Sequence, residues 1–398
     1  MKNIFNEQPL DCSSDAQIVI STLETCHPIF LLHEEIPGYY KAKTQYIEFT
    51  SKPISFTEFR LATLKYFQIL NDSHTIIGEV YKSGMHIDIN WFADHGKLYL
   101  LDREQNPTDI EIITIGGIPT SNVTAQVDMY YPAENEAARQ YNYAMFCRNK
   151  EMLILAGCKV TSSGIEIDTS DDKTATYKLA PLSSENDYII RYEMIGDVFY
   201  VDLKAFRIDK SVDEVGEEIK RAIQNGIKKF ILDVRDNSGG NSNVGSYLLH
   251  VMGMNVPRFG VYIRHSELSR AQKNNKSDDK LTIIEPNKST AVPNDDINLL
   301  VLTNAKSFSA AKMFGVWVQD GKLGKIVGQI SRNKPNSYGD PLIVKLPFSK
   351  LGILVSHKKF QRPNTGANPD CLIPDIEVPF GDDVLTVALQ YMASVQQA

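Results

Sequence analysis

Short apolar runs alternate with stretches of helical periodicity through the second half of the chain. The apolar runs predict buried strands at 198–203, 230–234, 298–302, 325–328 and 342–346. Apolar residues three and four positions apart predict helices at 211–227, 243–252, 310–320 and 384–395. The polar, lysine-rich residues 266–290 predict a mobile surface loop. Because strands that alternate with helices form helix-covered sheets, this pattern predicts an α/β core with a mostly parallel sheet.

The first half of the chain has a different pattern. Helical spacing predominates in residues 1–75, most clearly at 56–70. Alternating polar and apolar residues at 86–92 predict a half-buried strand, and further strands and two helices make 76–185 a small mixed α+β module. We therefore expect an N-terminal helical segment (1–75), the α+β module (76–185), a linker (181–187) and the α/β core (189–398).

Composition limits the class of protein. A length of 398 residues fits two or three domains, and a charged content of 23% is ordinary for a globular protein. The net charge of −7 argues against a nucleic-acid partner, which would need a basic face. The sequence has no apolar run of about 18 residues, so we expect no membrane-spanning helix.

The cysteines and the first residues bear on the compartment. The five cysteines form no C-x-x-C pair, so they predict neither a zinc site nor a redox motif: Cys12, Cys26, Cys147, Cys158 and Cys371. The histidine spacing suggests no metal site either. Buried free thiols are typical of a reducing compartment, and residues 1–7 contain no apolar stretch of signal-peptide length. We therefore expect a cytoplasmic protein.

Ser309 stands where a predicted strand passes through a short polar turn into a predicted helix. A serine at such a corner is exposed, and the amides at the helix start can stabilise a developing oxyanion. These are the conditions that a serine nucleophile requires. On this stretch alone the simpler interpretation is that Ser307 or Ser309 caps the helix, since serine is a preferred N-cap residue.

The segment 233–240, Asp-x-Arg-x-Asn-x-Gly-Gly, directly follows another predicted strand. Open α/β sheets place their sites at the carboxyl ends of strands, and glycines there let backbone amides point at a ligand. The alternative is a tight turn that simply requires glycine. Arg235 and Asn237 are expected to brace this turn by hydrogen bonds rather than to contact substrate.

The segments 230–241, 301–314, 319–320, 326–328 and 372–378 together resemble the tail-specific, or C-terminal-processing, serine protease family. This family includes tricorn-type proteases and the repeats of interphotoreceptor retinoid-binding protein. Residues 71–75 resemble the family's Asp-x-His-Thr corner, and 112–119 resemble the end of its PDZ-like insert. The resemblance implies a crotonase/ClpP-like α/β core with a PDZ-like module, and neither a metal nor an organic cofactor.

The resemblance also implies roles for individual residues. Ser309 matches the nucleophile, and the amides of Ala310 and of Gly239 or Gly240 match the oxyanion hole. The Ser73-His74 pair matches the histidine base of the tricorn-like branch.

The other branch pairs its serine with a lysine, and Lys334 has the matching spacing. In that branch Asp320 matches a supporting aspartate, although a helix-end role is the simpler interpretation. Lys312 follows Ser309 by one helical turn and could act as a local base. We expect His74 to be the base, and Lys334 stays open as the alternative.

We expect a serine peptidase that hydrolyses peptides or unfolded protein tails through an acyl-enzyme on Ser309. Two alternatives stay open: a catalytically inactive member that binds peptides or an apolar small molecule, and a serine esterase or amidase. The inactive alternative is favoured by two features, the degenerate PDZ-like insert and Pro363 where a family glutamate is expected. The oligomeric state is also open, with a homo-oligomer among the alternatives.

Overall fold

A computed structural model describes residue 5 and residues 7–78, 84–182, 188–274 and 277–395. Its α-helices are α1 (Ser13–Cys26), α2 (Tyr39–Thr50), α3 (Phe56–Gln68), α4 (Thr120–Asp128), α5 (Glu136–Phe146), α6 (Lys150–Ala156), α7 (Lys210–Gln224), α8 (Ser242–Val251), α9 (Glu267–Lys273), α10 (Ala310–Asp320) and α11 (Val384–Ser394). Among the described helices, none combines the length and the apolar character that crossing a bilayer requires.

The strands belong to several sheets. In chain order they are β1 (Ile76–Ile77), β2 (Met85–Ile87), β3 (Trp91–Asp94), β4 (Lys97–Leu101), β5 (Pro107–Ile115), β6 (Ile118–Pro119), β7 (Val160–Thr161), β8 (Gly164–Thr169), β9 (Thr174–Tyr177), β10 (Leu179–Pro181), β11 (Ile190–Ile195), β12 (Val198–Leu203), β13 (Lys229–Asp233), β14 (Gly260–Arg264), β15 (Leu281–Ile284), β16 (Asn298–Thr303), β17 (Lys325–Gly328), β18 (Tyr338–Lys345), β19 (Gly352–Gln361) and β20 (Ile376–Glu377).

One sheet, here called the core sheet, has the strand order β11-β12-β13-β16-β17-β20. Only its edge pair β11–β12 is antiparallel among these neighbours. Alternate residues of its strands pack on opposite faces: Phe230 and Leu232 contact the side that carries α7, α8 and α10, whereas Ile231 contacts the side of α11. The prediction of a mixed α/β fold with a mostly parallel sheet is confirmed.

The first half of the chain forms a second hydrophobic cluster. It joins α1 and α3 to the antiparallel sheet β3-β4-β5-β8-β7. Leu342 of β18 and Ile353 of β19 also pack there, although they follow the core-sheet strands β12, β13, β16 and β17 in sequence. The predicted domain limits stay a prediction, and residues 183–187 of the predicted linker lie outside the described residues.

Two local predictions were wrong. The alternation at 86–92 is divided between two strands, β2 and β3, which pair with different partners. The stretch 266–290 is not simply a loop, because it contains α9 and β15, and Ser266 caps α9 through the N–H of Ser269. Helix α2 lies within the predicted helical segment but was not singled out there, because its polar surface positions obscure the helical period.

Candidate active site

The site lies where β13 and β16 end side by side. These strands are parallel neighbours, with Asp233 opposite Leu302, so the two following loops leave the same edge of the core sheet. The loops are joined by two hydrogen bonds, from Phe308 N–H to Asn237 O (2.9 Å) and from Ser307 Oγ to Val234 O (2.7 Å). The predicted glycine turn and the predicted serine corner therefore form one structure.

Ser309 immediately precedes α10 in a strained backbone conformation. Its φ of 55° and ψ of −116° lie where side chains other than glycine are rare, which costs on the order of 1–3 kcal/mol. Its side chain makes no capping hydrogen bond to α10, and Ser307 Oγ is bonded to Val234 O. The capping alternative was therefore wrong for both serines. The Ser309 N–H donates to Asn333 Oδ1 at 3.1 Å, which helps to hold this corner.

Gly239 lies directly against Ser309. A Cβ at Gly239 would be 2.7 Å from Ser309 Cβ and 2.9 Å from the Ala310 nitrogen, so only glycine fits here. The Gly239 N–H already donates to Asn237 Oδ1 at 2.8 Å, so this amide is not available to an oxyanion. Within the described residues, the N–H groups of Gly240 and Ala310 donate to no protein acceptor. Of the two predicted glycine amides, the geometry therefore favours Gly240 and excludes Gly239.

A cavity of about 590 Å³ opens at this corner. Ser309, Gly240, Ala310, Lys312 and His74 are among the residues that line it. Its volume is in the range of small-molecule and peptide side-chain pockets. The nucleophile candidate, the two free amides and two titratable side chains therefore share one solvent-accessible space.

His74 reaches the cavity from the first half of the chain, in the corner between α3 and β1. Its imidazole stacks on the Phe308 ring at 4.6 Å, which places it beside the residue that precedes Ser309. The side chain is 8% exposed, and neither ring nitrogen has a hydrogen-bond partner within the described residues. Two unpartnered, buried ring nitrogens leave the imidazole free to exchange a proton with a group in the cavity.

Charged groups surround the His74 ring. Burial lowers the pKa of His74 below its usual value, the carboxylates of Asp72 and Glu134 oppose that shift, and Lys312 and Arg332 add to it. Asp72 Oδ1 lies 3.9 Å from Nδ1 of His74 and accepts the His74 backbone N–H at 2.9 Å. A lowered pKa keeps the imidazole neutral at neutral pH, as a general base must be.

Asp72 is held in place by groups behind it. It accepts hydrogen bonds from His27 Nε2 at 3.2 Å and Thr75 Oγ1 at 2.6 Å. Burial raises the pKa of Asp72, but the hydrogen bond and charge of His27, with the charge of His74, outweigh burial and keep the pKa well below its usual value. Asp72 is therefore ionised beside His74.

Glu134 is a buried carboxylate that the sequence did not single out. Its Oε1 accepts the Ser73 N–H at 3.0 Å, and its Oε2 accepts Asn333 Nδ2 at 2.7 Å and the Lys334 N–H at 3.0 Å. Glu134 precedes α5 in a loop without a recognisable motif, and Asn333 is 199 positions further along the chain. No local sequence signal could have identified this contact.

Lys312 is fully buried at the wall of the cavity. Burial lowers the pKa of its ammonium to about 7, while the charge of Glu134 opposes this and that of Arg362 adds to it. Nζ donates to Ser337 Oγ at 3.1 Å and to Pro335 O at 3.3 Å. A lysine can act as a general base only when it is neutral, and a lysine with this pKa is partly neutral at neutral pH.

Lys334 does not meet that condition. Its side chain is 26% exposed, its Nζ lies 4.0 Å from Asp370 Oδ1, and it is not among the residues that line the cavity. The expected spacing from Ser309 is present, but the side chain turns to a surface carboxylate. The structure therefore contradicts Lys334 as a buried base.

The remaining predicted residues have supporting positions. Asp320 forms a buried ion pair with Arg362 (2.6 Å) at the end of α10, which agrees with the helix-end interpretation. Arg235 pairs with Asp233, and Asn237 Nδ2 donates to Leu203 O at 2.8 Å, so both brace the glycine turn. Ser73 contributes its backbone N–H to Glu134.

Three buried groups are close enough to suggest a metal: Asp72, His74 and Glu134 each offer an atom within 4.8 Å of the others. Each carboxylate oxygen already accepts an N–H or O–H from the protein. Because these carboxylate oxygens already have hydrogen-bond donors in the protein, we assign no metal ion to the cluster.

The comparisons with known proteins agree with this geometry. Residues 197–378 match the model of peptidase family S41. Mature CPAF is similar in fold, with 14% identity, 97% of this chain and 96% of that chain covered, and a TM-score of 0.64. The photosystem II D1 C-terminal processing protease matches with 13% identity, 93% of each chain and a TM-score of 0.51. No curated protein sequence matches the chain.

The family match covers every strand of the core sheet except β11, both loops of the site and α10. His74 and Glu134 precede the matched segment. The match of residues 197–378 to peptidase family S41 supports a serine-type peptidase of the tail-specific protease family, and the similar solved structures support the same fold.

Proposed function

We propose that the chain is an active serine peptidase that cleaves peptides or unfolded protein tails through an acyl-enzyme on Ser309. The observation that carries this proposal is the shared cavity of Ser309, His74 and the N–H groups of Gly240 and Ala310. A nucleophile, a neutral base and two unpaired donors are what acyl transfer requires. The carboxylate of Asp72 lies 3.9 Å from Nδ1 of His74, close enough to stabilise a positive charge on the ring.

The proposed reaction has two steps. Ser309 Oγ attacks the scissile carbonyl while His74 takes the hydroxyl proton, and the carbonyl oxygen becomes an oxyanion between the amides of Gly240 and Ala310. His74 then protonates the leaving amine, and water hydrolyses the acyl-enzyme with His74 again acting as base. Asp72 stabilises the imidazolium that forms in each step.

Lys312 is the alternative base. It follows Ser309 by one helical turn, lines the same cavity and has a pKa of about 7. We favour His74 because both its ring nitrogens are unpartnered and its ring stacks on Phe308, the residue before Ser309.

The substrate is proposed to lie extended beside β18. Gly339, Asp340 and Pro341 of this strand line the cavity, and extended peptides commonly bind along strand edges. We further propose a crotonase/ClpP-like core, a PDZ-like module at 76–185, a homo-oligomeric state and a cytoplasmic location. The location rests on the cysteines, which are all free thiols.

The test is hydrolysis of casein and of a p-nitrophenyl ester by wild type and by Ser309→Ala. We expect cleavage of casein that Ser309→Ala abolishes. Hydrolysis of the ester alone would identify an esterase instead. Binding of casein without hydrolysis of either substrate would identify the inactive peptide binder, and either result overturns the proposal.

A further inference from the structure

Glu134 connects the loop that carries the proposed base to the loop after β17, and that second loop contacts the proposed nucleophile. One carboxylate oxygen holds the residue before His74, through the Ser73 N–H, and the other holds Asn333 and the Lys334 N–H. The side chain is 7% exposed, so these hydrogen bonds are formed away from water. Charge-assisted hydrogen bonds of this kind are roughly twice as strong as neutral ones.

The connection continues from Asn333 to Ser309. Asn333 donates from Nδ2 to Glu134 and accepts the Ser309 N–H at its Oδ1, at 2.7 and 3.1 Å. Because an amide has one donor end and one acceptor end, the contact with Glu134 determines which end faces Ser309. Glu134 therefore influences the strained Ser309 corner through a fully buried intermediary.

The neighbouring residue strengthens the same junction. Asn135 Nδ2 donates to Ser331 O at 2.9 Å and to Asp370 O at 3.1 Å. The loop before α5, which belongs to the first half of the chain, is thus fixed to the loop that follows β17. This junction supports a precise separation between His74 and Ser309.

We propose that Glu134 is a positioning residue that fixes the His74 corner relative to the Ser309 corner and stabilises the protonated base. This inference rests on the proposed function of Ser309 and His74. Glu134 acts through Ser73 and Asn333 and does not contact the substrate. Its negative charge lies close to the group that becomes positive during the reaction.

The charge of Glu134 should change the pKa of the base in a direction that can be measured. His74 is faced by the carboxylates of Asp72 and Glu134 and by the cations Lys312 and Arg332. Burial and the two cations lower the pKa of His74, and the charge of Glu134 raises it. Removing that charge should therefore lower the pKa of His74 further. Glu134 also opposes the lowering of the Lys312 pKa, so the direction is the same if Lys312 is the base.

The test is the pH dependence of fluorophosphonate labelling of Ser309 in wild type, Glu134→Gln and Glu134→Asp. For Glu134→Gln we expect labelling about 10–100-fold slower and an acid midpoint about one pH unit lower. Glu134→Asp keeps the charge but is too short to bridge both loops, so labelling slows while the midpoint stays near that of wild type. Glu136→Gln is the matched control, because Glu136 is exposed and, among the residues that the structure describes, pairs only with Arg139 in the same helix.

A purely structural role predicts the opposite shift, because a loosened corner admits water and raises the pKa of His74 towards that of free imidazole. A higher or unchanged midpoint in Glu134→Gln, or a labelling rate within twofold of wild type, overturns the inference. If Glu134→Gln does not fold, Glu134→Asp decides: slower labelling at an unchanged midpoint supports the inference, and an unchanged rate overturns it. Failure of wild type to label would instead overturn the proposed function.

Discussion

The Ser309 corner and the His74 corner contribute to one cavity but are built differently. The Ser309 corner is made by two adjacent parallel strands and the loops that follow them, within the segment that matches peptidase family S41. The His74 corner precedes that segment and packs with the first half of the chain. The nucleophile therefore comes with the core fold, whereas the base is brought to it by a separate part of the molecule.

This difference indicates how each corner is controlled. Ser309 is held by its left-handed backbone conformation, by Gly239 and by the start of α10, which are near it in the chain or in the loop that follows the neighbouring strand. His74 depends on Asp72, on the distant Glu134 and on stacking against Phe308. Changes far from the core should therefore affect the base more readily than the nucleophile.

The largest expected effect separates the two base candidates. We predict that His74→Ala lowers kcat for peptide hydrolysis by about 10²–10⁴-fold, because general-base catalysis contributes that much. Lys312→Met should retain most activity and move the acid midpoint of kcat/KM upward, because a nearby positive charge that lowers the His74 pKa is removed. A greater loss of activity in Lys312→Met than in His74→Ala would show that Lys312 is the base. The base and the nucleophile would then both come from α10 and the residue before it.

A second prediction concerns the contact between the glycine turn and Ser309. Gly239→Ala should reduce kcat by about 10²-fold, because the new Cβ would lie 2.7 Å from Ser309 Cβ and displace the nucleophile and the Ala310 amide. Gly226→Ala is the matched control, since its φ is also positive but nothing lies within 4 Å of the new Cβ. Both variants should lose about 1 kcal/mol of stability from strain, as urea unfolding would show, but only Gly239→Ala should lose activity. Equal activity in the two variants would contradict the contact.

The buried charge of Lys312 predicts a pH dependence of stability. The folded pKa of about 7 lies below the unfolded value, so the folded state binds fewer protons and stability rises with pH between about 7 and 10.5. The free energy of unfolding of wild type, measured against Lys312→Met, should therefore increase by about 2 kcal/mol from pH 7 to pH 9. A constant difference between the two proteins would show that Lys312 is not buried as described.

The smallest expected effect is the strain at Ser309. Ser309→Gly should be more stable than Ser309→Ala by about 1 kcal/mol, because glycine accepts a φ of 55° without steric cost. Both variants lack the hydroxyl, so neither should hydrolyse peptides, and the comparison isolates the backbone. Equal midpoints in urea would indicate that the corner relaxes once the serine is removed.

The difference between the Ser309 corner and the His74 corner also explains which residues the sequence could predict. Strand β16, Ser309 and helix α10 were predicted because hydrophobic period and turn chemistry are local. The glycine turn was identified for the same reason, although the hydrogen bond that occupies the Gly239 amide was not visible. His74 was found only through the resemblance of its corner to a family motif.

The groups that were missed or misassigned depend on long-range packing. Glu134 meets Asn333 across 199 positions, and no periodicity reports such a pairing. Lys312 and Lys334 are both lysines downstream of Ser309, and spacing alone favoured Lys334. Burial distinguishes them, because Lys312 points into the protein from α10 and Lys334 turns towards Asp370.

The most direct test of the account is to locate and time a covalent adduct after treatment with a fluorophosphonate. Peptide mass mapping of the wild-type protein should place the adduct on Ser309, and the labelling rate should fall by about 10²-fold or more in His74→Ala. An absence of adduct on Ser309 would contradict the assignment of the nucleophile. The same rate in wild type and His74→Ala would contradict the assignment of the base.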